Sequence, residues 1–333
     1  MIKRKSLFFL MVFFIALSFA TVIRAEPFYQ GKVIKMIVTT KPGGGYDWYA
    51  RLLSKYMQKY LPGSTIIVKN VPGGGHIIGT NLIYRAKPDG LTIGTFNRAV
   101  GITQVVGLKG VKFDFGKLSW LGSPCSEIYT YLVNPKMFKN LDDVLKTDKI
   151  RLAAEGLGAL SYVCPLMFYQ ALGLENFSIS TGYSGAEMEM ALIRGEADGT
   201  WGSLISRQAA IDSGDARVVL LIGREKPAQF KDVPLIEEVL KDPENKPVAK
   251  LLRGLQLVGR PYAGPPGIPA DRLKILREAF EKASKDPEAL ALAKKGNRRM
   301  DFVAWEEVDD WAKGLMELSP SIVAKLKESY GVK

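Results

Sequence analysis

The sequence predicts an α/β protein of two similarly built lobes with a ligand cleft between them, and three observations carry that expectation. Strand-like apolar runs alternate with helical periodicity, and the rhythm restarts halfway along the chain. Pro42-Gly43-Gly44-Gly45 and Pro72-Gly73-Gly74-Gly75 each stand where such a run gives way to a helical pattern. The chain is also long enough, at 333 residues, for two separate cores.

Taken in order, residues 1–25 read as a secretory signal. Lys3, Arg4 and Lys5 precede an apolar run over 7–17, and small residues offer cleavage after Ala20 or Ala25. The run is shorter than the roughly 20 apolar residues of a membrane span, so a chain exported from the cytoplasm without an anchor is expected. Residues 33–40 form a strand, the first glycine loop follows, and Tyr46, Tyr49, Ala50, Leu53, Tyr56, Met57 and Tyr60 mark one helical face. A strand over 65–69, the second glycine loop, a helix through Ile77, Ile78, Leu82 and Ile83, and a strand over 91–96 complete a β-loop-α-β-loop-α-β order. That order implies parallel strands, with both glycine loops at one sheet edge.

Beyond it, strands over 128–133, 150–154, 177–180 and 217–222, a short one near Thr200 and Trp201, and helices over 160–172 and 185–194 outline a second lobe. The tail turns helical at Pro269, with Trp305 and Trp311 as anchors. The division expected is 26–122 with 225–333 for one lobe and 123–224 for the other, the return crossing lying near 225 or near 260.

Loss of Lys3, Arg4, Lys5 and Arg24 with the leader lowers the formal net charge from +12 to +8. After the leader no basic run exceeds two residues, as at Arg298-Arg299, so no nucleic-acid partner is expected; the scattered excess either steers acidic solutes or merely solvates the surface. The single histidine and two cysteines leave most metal-ligand sets unfilled, and neither a metal nor a cofactor is expected. Cys125 and Cys164 pair as a disulfide or remain buried thiols; spacing leaves both open.

Three successive glycines bare backbone N–H groups at the positive end of the following helix, so the two loops predict cradles for one anionic ligand. Neither loop continues as a nucleotide-binding motif, since Tyr46-Asp47 and His76-Ile77 follow the glycines. Asp47 is either an i,i+4 partner of Arg51 or a carboxylate that orients a ligand. His76, at a helix start, makes a poor general base and a workable hydrogen-bond donor lining the cleft. Gly156-Leu157-Gly158-Ala159-Leu160-Ser161 and Thr181-Gly182-Tyr183-Ser184-Gly185 supply glycine turns from the second lobe. Tyr183 is a cleft wall or a core ring, and Asp198 serves its turn or faces the cleft.

Read together, Pro42-Gly43-Gly44-Gly45-Tyr46-Asp47 with Ala50-Arg51, Asn70-Val71-Pro72-Gly73-Gly74-Gly75 with Ile78-Gly79, Pro88-Asp89-Gly90, Tyr183-Ser184-Gly185, Gly195-Glu196-Ala197-Asp198, Asp232-Val233-Pro234 and Pro265-Pro266-Gly267-Ile268-Pro269 are telling. The set resembles the periplasmic receptors of tripartite tricarboxylate transporters, the Bug proteins. The resemblance implies a two-lobed type II periplasmic binding fold that performs no catalysis. It also implies a small carboxylate met at the glycine loops, permease subunits of the transporter as partners, and a monomer. The contacts it implies are Gly44, Gly45, Tyr46, Asp47, Gly74, Gly75, His76, Gly158, Ala159, Ser161, Tyr183 and Asp198. His76 departs from the family's usual small residue, and Cys125 lies in the segment entering the second lobe. Two other classes compete: a receptor presenting solute to a sensor kinase, and an exported hydrolase.

Overall fold

The computed structural model describes residues 28–332, so the leader predicted over 1–25 lies outside the described residues. Among the described residues, ten strands form two five-stranded sheets. The first contains β1 (Val33–Val38), β2 (Thr65–Asn70), β3 (Thr92–Thr95), β4 (Ser119–Gly122) and β10 (Tyr262–Gly264), in the order β2-β1-β3-β10-β4. The second contains β5 (Tyr129–Val133), β6 (Ile150–Ala153), β7 (Phe177–Ser180), β8 (Gly199–Ser203) and β9 (Arg217–Ile222), in the order β7-β6-β8-β5-β9. Three neighbouring strands are parallel in each sheet, as the strand-helix alternation dictates. One antiparallel strand completes each pattern: β10 between β3 and β4, and β5 between β8 and β9.

Those two strands are the ones that enter a sheet directly after the chain has crossed from the other lobe. The outgoing segment at 123–128 and the return at 256–260 run side by side: the Glu127 N–H donates to Gln256 O at 3.0 Å and the Gly259 N–H to Cys125 O at 2.9 Å. Helix Lys246–Leu257 packs on β9 and on helix Leu160–Ala171 of the second lobe before the chain returns. It was not anticipated; nor were β4 and β10, which carry four and three residues and show no period of their own.

Apolar alternation on the strands feeds a core shared between sheets and helices. Tyr131 and Trp201, cross-strand neighbours in β5 and β8, stack at 4.6 Å between ring centroids. Trp311 packs edge-on against Phe115 at 5.6 Å and Trp120 at 6.2 Å, anchoring helix Trp305–Met316 to the first lobe. Three residues later, helix Pro320–Ser329 lies on helix Leu160–Ala171 of the second lobe, where the Tyr330 hydroxyl donates to Leu157 O at 2.7 Å. Cys125 and Cys164 are buried free thiols, the first in the outgoing crossing and the second inside helix Leu160–Ala171. Among the described residues no helix is long and apolar enough to cross a membrane.

Candidate functional site

Both sheets deliver their glycine turns to the boundary between the lobes, but the four turns pair off in two different ways. The second turn of the first lobe meets the first turn of the second lobe backbone to backbone. A Cβ added to Gly158 would lie 2.1 Å from Gly75 O, and one added to Gly75 would lie 2.6 Å from the Gly158 nitrogen. Gly75, at φ +57°, also holds a left-handed conformation that favours glycine. This seam leaves no room for a ligand.

Across the boundary, the first turn of the first lobe and the second turn of the second lobe stand apart and enclose a cavity of about 160 Å³. Helix Gly45–Tyr60 begins at this cavity with Gly44 as a cap that offers no side chain, so its first N–H groups and its positive dipole end bear on the space. Helix Gly185–Arg194 begins on the opposite wall, its own cap occupied by Ser184 and Glu187. At the rim Lys41 bridges the lobes to Glu187 at 2.9 Å.

Four arginines complete the wall: Arg98, Arg207, Arg260 and Arg298. Arg260 is held in a buried pair with Glu127 at 2.8 Å and lies over the rings of Tyr46 at 4.8 Å and Tyr49 at 5.1 Å. Burial alone would lower its pKa, but the charge of Glu127 and its neighbours outweighs this and raises it, so Arg260 stays a cation. Its guanidinium occupies the space that a side chain at position 45 would take: a Cβ on Gly45 would sit 2.5 Å from Arg260 Nη2. Ser206 accepts from both Arg260 Nη2 at 3.2 Å and Arg298 Nη1 at 2.9 Å. Burial, then repulsion by Arg260, holds the Arg298 pKa below its ordinary value. Arg207 is clasped by Gly185 O and by Glu189 Oε2 at 3.2 Å, and Arg98 donates to Gly259 O and Gln256 Oε1 in the return crossing.

Among the described residues, twelve buried side-chain polar atoms have no hydrogen-bond partner, and six belong to this wall: Thr40 Oγ1, Tyr46 OH, Trp201 Nε1 and the Nε atoms of Arg98, Arg207 and Arg260. All six can donate, so unpaired donor capacity collects at the site.

Of the residues predicted from sequence, Gly44, Gly45 and Tyr46 line the cavity. The carboxylate of Asp47 instead locks the loop from behind, accepting from the Gly43 N–H, Arg51 Nε and Asn70 Nδ2, each at 3.0 Å. Burial would raise its pKa, but these partners outweigh that and lower it. Gly74, Gly75, His76 and Gly158 belong to the seam or its edge. His76, at φ 77°, turns Nδ1 to Thr39 Oγ1 at 2.9 Å and Nε2 toward Glu155 Oε2 at 3.9 Å, across the lobe boundary.

Ala159 caps helix Leu160–Ala171, and Ser161 Oγ accepts from the Glu155 N–H at 3.0 Å. Tyr183 packs on the small cluster of Ala153, Met188, Ala191 and Ala197. Asp198 is turned to Arg151, accepting from its N–H at 2.8 Å and from Nη2 at 2.6 Å. Glu155, not singled out by sequence, does reach the cavity. Burial would raise its pKa, but His76, Arg207 and Arg260 together lower it, keeping the carboxylate ionised. The arginines were missed because they lie in four separate segments of the chain, with no common spacing to mark them.

Residues 49–310 match the family model described as "Tripartite tricarboxylate transporter family receptor". A UPF0065 protein of Bordetella pertussis is 26% identical over 268 residues, covering 78% of each chain. Among solved structures, the "periplasmic binding protein BugD" superposes with a TM-score of 0.74 at 21% identity, over 92% of this chain and 99% of its own. MatC of Rhodopseudomonas palustris, solved with bound malate, gives 0.71 at 17% identity, over 90% of this chain and 98% of its own. These likenesses agree with the two-lobed periplasmic binding fold described above.

Proposed function

Because this chain belongs to the tripartite tricarboxylate transporter receptor family, a family of solute-binding receptors and not of enzymes, we propose that it captures a small carboxylate in the periplasm, as a monomer, and delivers it to the permease subunits of a transporter. The observation that carries this reading is the interlobe cavity, which gathers a free helix N-terminus and four guanidinium groups around about 160 Å³. That volume corresponds to on the order of ten water-sized sites, enough for a short-chain acid. Charge-assisted hydrogen bonds contribute roughly 1.5–3 kcal/mol each, and a micromolar complex requires about 8 kcal/mol. Three or four such contacts suffice without catalytic groups. The bound malate of MatC supports the same substrate class.

Calorimetry and thermal unfolding against di- and tricarboxylates, aromatic acids and acidic amino acids test the reading. An acid present at about 100 times its Kd should add ~2.7 kcal/mol of stability. A protein stabilised only by neutral sugars or metal ions would refute it. Uptake of the same acid by vesicles carrying the permease subunits, dependent on added receptor, tests the delivery step.

A further inference from the structure

The two walls of the cavity differ in sign. Every charged residue that the first lobe contributes is basic: Lys41, Arg98, Arg260 and Arg298. The second lobe contributes Glu155, Glu189 and Arg207. Internal pairs then cancel much of this: Arg260 with Glu127 at 2.8 Å, Arg207 with Glu189 at 3.2 Å and Lys41 with Glu187 at 2.9 Å. Left over on the first lobe are Arg98 and Arg298, neither of which has a carboxylate within 4.0 Å among the described residues. Left over on the second lobe is Glu155, 20% exposed, which among the described residues has no Lys or Arg nitrogen within that distance and meets the His76 ring at 3.9 Å.

A simple polyanion would be drawn to one wall and repelled by the other, because a carboxylate facing a ligand carboxylate at short range is a discriminating element as much as any attractive contact. A ligand with an anionic end and a cationic, hydrogen-bond-donating end matches both walls at once. Resting on the carboxylate reading above, we infer that the ligand is a zwitterionic amino acid, its carboxylate directed to Arg98 and Arg298 and its ammonium group to Glu155. Glu155 is thereby a specificity-determining residue, one that accepts from the ammonium and turns away the same acid without it.

The test compares acids that differ only by the amino group: L-aspartate with succinate and L-glutamate with glutarate. Kd is measured by calorimetry at one pH and ionic strength on the wild type, Glu155→Gln and His76→Gln, with circular dichroism confirming each fold. The wild type should bind the amino acid of at least one pair tenfold or more tighter than its desamino partner, although the amino acid carries less negative charge. Glu155→Gln should shrink that preference to within threefold, chiefly by weakening the amino acid; His76→Gln should preserve it. If succinate or glutarate binds as well as or better than its amino counterpart in both pairs, the carboxylate reading stands and the zwitterion is refuted. Equal weakening of both partners by Glu155→Gln would assign Glu155 to holding the lobes together and overturn the inference as well. If neither member of either pair binds, this inference fails whatever other acid the cavity accepts.

Discussion

Replacing Gly158 with alanine should weaken ligand binding while leaving the unliganded protein almost as stable as before. The added methyl carbon would lie 2.1 Å from Gly75 O and 3.2 Å from Thr103 Cγ2 when the lobes are in contact. The nearer obstruction is backbone, so no rotamer change relieves it, and the cost falls in the range of about 1–3 kcal/mol typical of overpacking. That cost applies only while the seam is shut; parted lobes give the methyl free space. Alanine itself is no strain at this position, because Gly158 is not among the residues of positive φ. A ligand that requires the shut form must therefore supply the difference, which corresponds to roughly a 5- to 150-fold rise in Kd.

Gly75→Ala is the instructive contrast. At φ +57° it adds left-handed strain to the collision, so stability should drop with or without ligand. Calorimetric Kd, thermal unfolding and small-angle scattering, each with and without ligand, separate the cases. Wild-type affinity together with wild-type stability in Gly158→Ala would show that the seam does not form in the liganded state. A loss of unliganded stability with wild-type affinity would show that the seam is shut with and without ligand, because a cost common to both states leaves Kd unchanged.

Gly45→Ala should cost about 1–3 kcal/mol in denaturant titration and also weaken ligand binding, because the new methyl would displace the Arg260 guanidinium at 2.5 Å from its buried pair with Glu127; no change in either would disprove that packing. Asp286 caps helix Pro287–Lys295 through the Glu288 and Ala289 N–H groups and accepts from Lys59 Nζ and Tyr60 OH, so Asp286→Ala should lose at least the ~1–2 kcal/mol of a cap. Burial would raise the Asp286 pKa, but those partners bring it down to about 2. Its contribution is thus complete above about pH 4, the unfolded value, and is lost as pH falls through the folded one. Denaturant titrations of wild type and variant from pH 2 to 6 should show the gap between them closing toward the acid end. Burial pushes the thiols of Cys125 and Cys164 well up, so neither should react with Ellman's reagent in the native protein, and both should react once it is unfolded.

Local pattern made half of this molecule readable from its residues. β1, helix Gly45–Tyr60 and β2 were legible because each carries its own periodicity and each ends in a glycine turn. β10 was not, because three residues show no period and the strand exists through pairing with β3 and β4. The two Pro-Gly-Gly-Gly turns show the limit of motif reading most clearly. They are alike in sequence and in place on the sheet, yet Gly45 borders the cavity and Gly75 closes the seam, because what stands opposite belongs to the other lobe. The basic wall was hidden for the same reason: Arg98, Arg207, Arg260 and Arg298 converge only once two crossings bring their segments together.

Helix Trp305–Met316 on the first lobe and helix Pro320–Ser329 on the second make the segment at 317–319 a third tie between the lobes, beside the paired crossings. Two adjacent tethers would still permit the halves to twist as well as swing. A third tether constrains that freedom, and with only three residues of slack, at most ~3.6 Å of span each, it also bounds the travel of the jaw. The same tail fastens Tyr330 to Leu157, the residue next to the seam. Relative movement of the lobes is therefore mechanically felt at the C-terminal helix, on a part of the surface that contributes no residue to the ligand cavity.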